Sequence, residues 1–522
     1  MKKFRFFFLL LFFAVCLIAD SPAVMAAKVE VVAVQGQGVS NVLLNEFSEI
    51  TAKVMQFYQE VYNFVPTKSV QVIIVPDESS YSHTLQLFGY EQDQAVRVAK
   101  ASAAISMGSK QVVIICADKN LNYLSRIRTI THEMFHQIQW ELKGDTPAYE
   151  WLTEGSARMN EYLMLEWLGK GSVATQRQNL VNLLVNVKLK AEPSDMIDGT
   201  KWTSLIEQKM FPYEVAEFMT HYLSEQVGNP AILKYFAYIG ETGSKSQAFK
   251  KAFGMNHDQF INKFKAYMSQ EERTIGQIKF DVEGEIAPEI VQEIQNNGKV
   301  VEQLLRSQGW RLTMSQRYIL VPNQDAMLKV MRRELPEMEN EKLSQIVQRS
   351  TIVPISGMNL VFDTGKPPDS ETRFFAPALS ICKEAITMTV RPAPATNIFW
   401  LYEGEASLLA AKATDAAGLK NFDVVRQNWI DAIRKSKSYP SLTEMKNSMV
   451  PNFPRYGEKL THITAAVAVG YLSEKTSPDR VVEYFCVLHD LNDGPKAFQQ
   501  VFGMSLEAFN DEFSSYLKSL RE

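Results

Sequence analysis

His132 and His136 stand four positions apart in Thr131-His132-Glu133-Met134-Phe135-His136. On a helix that spacing sends both imidazoles from one face toward a single point, where they can share a cation. Glu133, beside the first histidine, can reach a water activated by that cation without binding the metal itself. Catalytic zinc takes three protein ligands and keeps one position open. Eighteen positions past His136, Glu154 in Trp151-Leu152-Thr153-Glu154-Gly155 offers the natural third ligand, from the next helix. The chemistry is then hydrolysis: zinc polarises a carbonyl, and Glu133 takes a proton from the attacking water and passes it to the leaving group. With seven histidines in the whole chain, the pentapeptide seldom arises by chance. The plainer alternative is an amphipathic helix with solvated histidines, whose apolar face is Ile130, Met134, Phe135 and Ile138.

The pairing of H-E-x-x-H with Trp-Leu-x-Glu-Gly resembles the gluzincins, the thermolysin and aminopeptidase clan of zinc peptidases. The likeness is closest to their peptidase MA-like domains and covers about residues 40–270. The separation before Glu154 is about one residue shorter than in the aminopeptidases, which a loop can absorb. The resemblance implies an α+β fold, a small mixed sheet followed by a mainly helical part that contains the H-E-x-x-H helix. It also implies Zn2+ as cofactor, a peptide or protein as substrate, and an oxyanion donor from a later helix. Tyr213 opens a predicted helix in the corresponding region, and a tyrosine that only packs that helix start fits the position equally well. His221 is the second candidate donor. Glu161, seven positions past Glu154, can hold a zinc histidine from behind, although exposure statistics favour a solvated glutamate. Arg158 stands where the thermolysin-type pattern has an acidic residue, a departure from that arrangement.

The elements that must position these residues follow from local pattern. Strands are expected at 28–36 and 70–75, helices at 42–62 and 79–88, and strands at 103–107 and 111–116 joined through Gly108. The zinc helix is expected over 121–142, stopped by Gly144-Asp145-Thr146-Pro147, with helices onward to 270. Strand 103–107 is placed to edge the cleft and pair with an extended peptide. No acidic amine-binding motif is present, so nothing favours trimming of N-termini over internal cleavage.

The chain also repeats itself. Trp151-Leu152-Thr153-Glu154-Gly155 returns as Trp400-Leu401-Tyr402-Glu403-Gly404, and Tyr222-Leu223-Ser224-Glu225 as Tyr471-Leu472-Ser473-Glu474. Ala248-Phe249 through Gly254-Met255 returns as Ala497-Phe498 through Gly503-Met504, all three at a lag of 249. Val75-Pro76-Asp77 answers to Val321-Pro322-Asn323 at 246. Tandem duplication is the economical account, with domains over 27–273 and 274–522 and a join where Glu271-Glu272-Arg273 breaks the helical pattern. Copy two sets Lys383-Glu384-Ala385-Ile386-Thr387 against the zinc motif, so both histidines are gone and Glu403 lacks companions. His462 aligns with Tyr213. The second copy reads as a degenerate domain kept for packing, substrate binding or partner contact.

Lys2, Lys3 and Arg5 lead into the apolar run 6–19, and Val24-Met25-Ala26 offers a cleavage site, so residues 1–26 read as a signal peptide. Export to a bacterial periplasm or medium is the expectation, with a retained anchor as the alternative. The net charge of −4 becomes more negative once three basic residues and Asp20 leave. No basic cluster points to nucleic acid, and no later segment is apolar enough to span a membrane. Cys116, Cys382 and Cys486 are odd in number and far apart, so they form no disulfide framework. The rival to a peptidase is a non-catalytic peptide- or protein-binding scaffold of the cell envelope that keeps the site as a relic. The complete set His132, Glu133, His136 and Glu154 separates the two, because a relic has little reason to keep all four.

Overall fold

The computed structural model describes residues 29–33, 38–120, 122–187, 189–390 and 398–520. The signal-peptide segment expected at 1–26 lies outside them. The fold is mixed α/β, with two four-stranded mixed sheets and a large helical majority. Two compact units are present: residues through Gly169 with Leu189–Lys265, and Lys170–Lys188 with Ala266–Glu522. Among the described residues, no helix is long and apolar enough to cross a membrane.

In the first unit β1 (Val29–Ala33), β2 (Val70–Val75), β3 (Ala104–Met107) and β4 (Val112–Cys116) lie in the order β1-β2-β4-β3. All pairings are parallel except β3 with β4, which the tight turn at Gly108–Lys110 makes antiparallel. Every residue of β4, Val-Val-Ile-Ile-Cys, is buried, as a near-continuous apolar run covered on both faces should be. Tyr81 and Leu85 from helix Glu78–Leu87, with Ala95 and Ala99 from helix Gln92–Ala101, cover one face. The sequence reading missed the second of these helices. Only Ala95 and Ala99 are buried on it, so its apolar stripe is too thin to register as periodicity.

The second unit orders β5 (Ile278–Val282), β6 (Gln316–Val321), β7 (Ile352–Ser356) and β8 (Asn359–Asp363) as β5-β6-β8-β7, with the same pairing directions. Asp77 after β2 and Asn323 after β6 do the same work. Each caps the next helix by accepting a hydrogen bond from the backbone N–H three residues on. The helix before β5 runs over His257–Thr274, so Glu271-Glu272-Arg273 continues the helix rather than breaking it. Helix Val173–Asn186 belongs to the second unit. There Asn182 exchanges hydrogen bonds with Ser315, at 3.0 and 2.9 Å, and Asn179 meets Ser356 and Asn359.

The Glu-Gly pairs have a packing reason. A Cβ on Gly155 would stand 2.2 Å from the Ala216 carbonyl oxygen, and one on Gly404 would stand 2.4 Å from that of Ala465. Only glycine lets the two helices cross so closely in each unit. The tryptophans ahead of them stack alike: Trp151 on Phe260 at 5.0 Å, and Trp400 on Phe509 at 5.7 Å between centroids.

Candidate metal centre

The histidine helix is Tyr123–Lys143, started by an Asn122–Ser125 capping box and ended at Gly144. Gln137 anchors it to the sheet, donating to Ser106 Oγ on β3 at 2.8 Å and to the Val112 carbonyl at 3.0 Å. Tyr58, from helix Asn41–Tyr62, donates to the Thr131 carbonyl at 2.6 Å, directly before the first histidine. The glutamate helix, Glu150–Trp167, then carries Glu154 to the same point.

His132 Nε2 and His136 Nε2 lie 3.1 Å apart, and Glu154 oxygens lie 3.4 and 3.6 Å from them respectively. Zinc with bonds of about 2.0–2.1 Å in a tetrahedral arrangement holds neighbouring donors roughly 3.4 Å apart. The three observed separations straddle that value, and among the described residues this is the metal-capable group of histidine, cysteine or carboxylate side chains.

The outer nitrogens decide which protons are present. His132 Nδ1 is 2.9 Å from Glu161 Oε1, and a carboxylate only accepts, so Nδ1 carries the proton. His136 Nδ1 is 2.8 Å from Gln139 Oε1. The Gln139 amide nitrogen donates to the Thr153 carbonyl at 2.9 Å and to Ser156 Oγ at 3.0 Å, which turns its oxygen toward His136. With both rings neutral, each aims a lone pair at the other and at the Glu154 carboxylate. Three acceptors facing one another in a largely buried place require a positive charge between them. Without a metal that charge would be a proton. Burial pulls the His132 pKa down, but hydrogen bonds to Glu154 and Glu161 outweigh it and hold it up at about 10. Burial alone would raise Glu154, yet the two imidazoles pull it far below the usual carboxylate range.

Glu161 corrects the expectation of a solvated side chain: its side chain is only 4% exposed. Arg128 donates to it at 2.8 Å, and Arg158 approaches at 3.3 Å. These cations explain how a carboxylate can be buried behind His132, and they give Arg158 a place in the site. Arg158 also reaches Glu217 at 3.5 Å, on helix Pro212–Val227. Gln139 escaped the sequence reading. The available signal was a polar residue three positions past His136, on a helix that also buries Thr131, Glu133 and Gln137.

Glu133 is buried and lines the same cleft, a cavity of about 440 Å3 walled by Ala104, Ile105 and Ser106 of β3, the two histidines, Glu154 and Tyr213. Burial raises the Glu133 pKa against the opposing pull of the two imidazoles. Tyr213 sits in the first turn of its helix, after Lys209 and Phe211 in left-handed backbone conformations, and its ring meets Trp202 edge-on at 5.1 Å. Burial, followed by the Glu154 charge, raises its pKa, so the hydroxyl keeps its proton. His221 is buried with Nε2 3.7 Å from Glu217 and is not part of the cleft wall.

The sequence matches no protein-family model and no curated protein.

In the second unit, Lys383 Nζ lies 2.7 Å from Glu403, and His462 Nδ1 lies 3.5 Å from the same oxygen. Thr387, in the place of His136, donates to the Lys383 carbonyl at 2.9 Å and contacts the Tyr402 hydroxyl at 3.2 Å. The acceptor cluster of the first unit is replaced by an internal ammonium–carboxylate pair.

Proposed function

We propose that the chain is an exported zinc metallopeptidase. In this reading it is a tandem duplicate of a gluzincin-like domain with a metal centre in the first copy and none in the second. The observation that carries it is the convergence of two imidazole lone pairs and a carboxylate at zinc-ligand spacing, with Glu133 buried beside them. The common strand order of the two sheets, the matched caps at Asp77 and Asn323, and the matched helix crossings at Gly155 and Gly404 support the duplication. The basic, apolar and small-residue succession over 1–26 supports export.

His132, His136 and Glu154 would hold the zinc, which when bound supplies a Lewis acid and lowers the pKa of water at its open position to about 7. Glu161 and Gln139 keep the two imidazoles in the tautomer and orientation that binding needs. Glu133, with its raised proton affinity, accepts a proton from the attacking water and hands it to the leaving amine. Tyr213 keeps its hydroxyl proton and offers it to the oxygen that gains charge. The backbone of β3, an edge strand on the cleft wall, offers unpaired groups to an extended peptide.

The test is cleavage of a mixed peptide library by the wild type and by Glu133→Gln, each with and without a chelator. Wild-type cleavage should stop with the chelator, and Glu133→Gln should retain its zinc yet turn over roughly 100- to 10,000-fold more slowly. Equal rates for the two proteins would remove Glu133 from the role of base, and chelator-resistant cleavage would remove zinc.

A further inference from the structure

We propose that the cleft of the second unit is a non-catalytic binding site for a carboxylate carried on an apolar body. A cavity of about 550 Å3 lies among helices Ser370–Val390, Phe399–Ala416, Phe422–Lys435 and Glu458–Lys475. It shares Phe375, Trp429, Lys459 and Ile463 with a neighbouring cavity of about 460 Å3. That volume suits a ligand of several residues or a medium-length chain.

The walls divide by chemistry. Phe375, Leu379, Trp429 and Ile463 make an apolar section, and Lys383 and His462 make a polar end. Glu403 forms an ion pair with the Lys383 ammonium at 2.7 Å, and the three-donor ammonium also lines the cavity. His462 adds an imidazole 3.5 Å from Glu403, at the sequence position that aligns with Tyr213. Exposed Lys459 and Glu458 stand at the mouth and cancel. An ammonium in this place cannot activate water as a divalent cation does, but it can hold an anionic oxygen by charge-assisted hydrogen bonds. The occupant that satisfies both sections is an aliphatic or aromatic body that ends in a carboxylate. A peptide's C-terminal residue and a free fatty acid both have that chemistry. The inference does not rest on peptide hydrolysis in the first unit.

The experiment uses the full chain carrying Glu133→Gln, with chelator present throughout so that the first cleft holds no metal. An N-terminally fluorescent peptide ending in Leu-Phe is titrated as the free acid and as the C-terminal amide, with decanoate as a competitor. The free acid should bind, and the amide should bind about tenfold or more weakly, the size of one lost charge-assisted hydrogen bond. The double change Lys383→Met with Glu403→Gln removes both charges together, leaving no unpaired charge of that pair in the interior, and should weaken the free acid by the same factor. Circular dichroism melting checks that this variant is folded. Displacement by decanoate extends the supported ligands to fatty acids, and binding of the peptide without displacement restricts them to chain ends. Equal binding of acid and amide, undiminished binding by the folded double variant, or no binding of either ligand overturns the proposal.

Discussion

The two clefts are built on matching scaffolds and differ in how they meet one electrostatic demand. In the first unit, Glu154 faces the two imidazole Nε2 atoms, and the balancing positive charge is a proton on an imidazole or a bound cation. In the second, Glu403 faces the ammonium of Lys383 at 2.7 Å, and the balance is internal. The difference teaches that a glutamate at this kind of helix crossing can be balanced in two ways, by imidazoles in one unit and by a lysine in the other, with the glycine and the close crossing common to both. The outer supports differ as well. Gln139 depends on Ser156 in the first unit, while the position 249 residues later is Glu405, whose Oε2 has no hydrogen-bond partner.

The comparison is sharpened first at the residues facing each cleft. Tyr213→Phe should lower turnover roughly ten- to a thousandfold with zinc content unchanged, the effect of losing one hydrogen-bond donor to the developing oxyanion. Steady-state kinetics against metal content would check it, and an unchanged rate would return Tyr213 to packing against Trp202.

A smaller effect is expected behind His132. Glu161→Gln leaves an acceptor for His132 Nδ1 but removes the charge that Arg128 and Arg158 compensate. Zinc affinity measured by chelator competition should fall roughly 10- to 100-fold, as for other lost outer supports. An unaltered affinity would mean that the position of His132 is set by the helix alone.

Much of this was legible in the sequence. The convergence of His132, His136 and Glu154 follows from spacing and residue chemistry, and the matches at one lag fall on two sheets of the same strand order. What escaped has physical reasons. Glu161 reads as solvated because Arg128 and His132, which cover it, come from the preceding helix, and only Arg158, three positions before it on its own helix, is a partner that spacing shows. Gln139 is silent for the same reason, since its amide partners Thr153 and Ser156 come from the next helix. Helix Val173–Asn186 follows the glutamate helix in the chain, yet its asparagines bond to Ser315, Ser356 and Asn359. Proximity in sequence cannot reveal that.

The smallest effect concerns stability. Burial lifts the Glu405 pKa to about 7, above an unfolded value of about 4.3. Between those values the folded chain holds a proton that the unfolded chain has released, so this group lowers stability as pH rises from about 4.3 toward 7. Glu405→Gln should therefore raise the melting temperature by a few degrees at pH 7.5 and change it little near pH 4. A shift of equal size at both pH values would show that burial of the charge is not the cause. Ser156 in the first unit has no counterpart effect, because it carries no titrating group.

The central claim is that one cleft requires an external cation and the other supplies its own. Metal analysis of the purified chain tests it most directly. The wild type should hold about one zinc. His136→Ala should hold none, because two ligands remain, and Glu403→Ala should hold as much as the wild type. Two zincs per chain, or zinc that survives the loss of His136, would contradict the account.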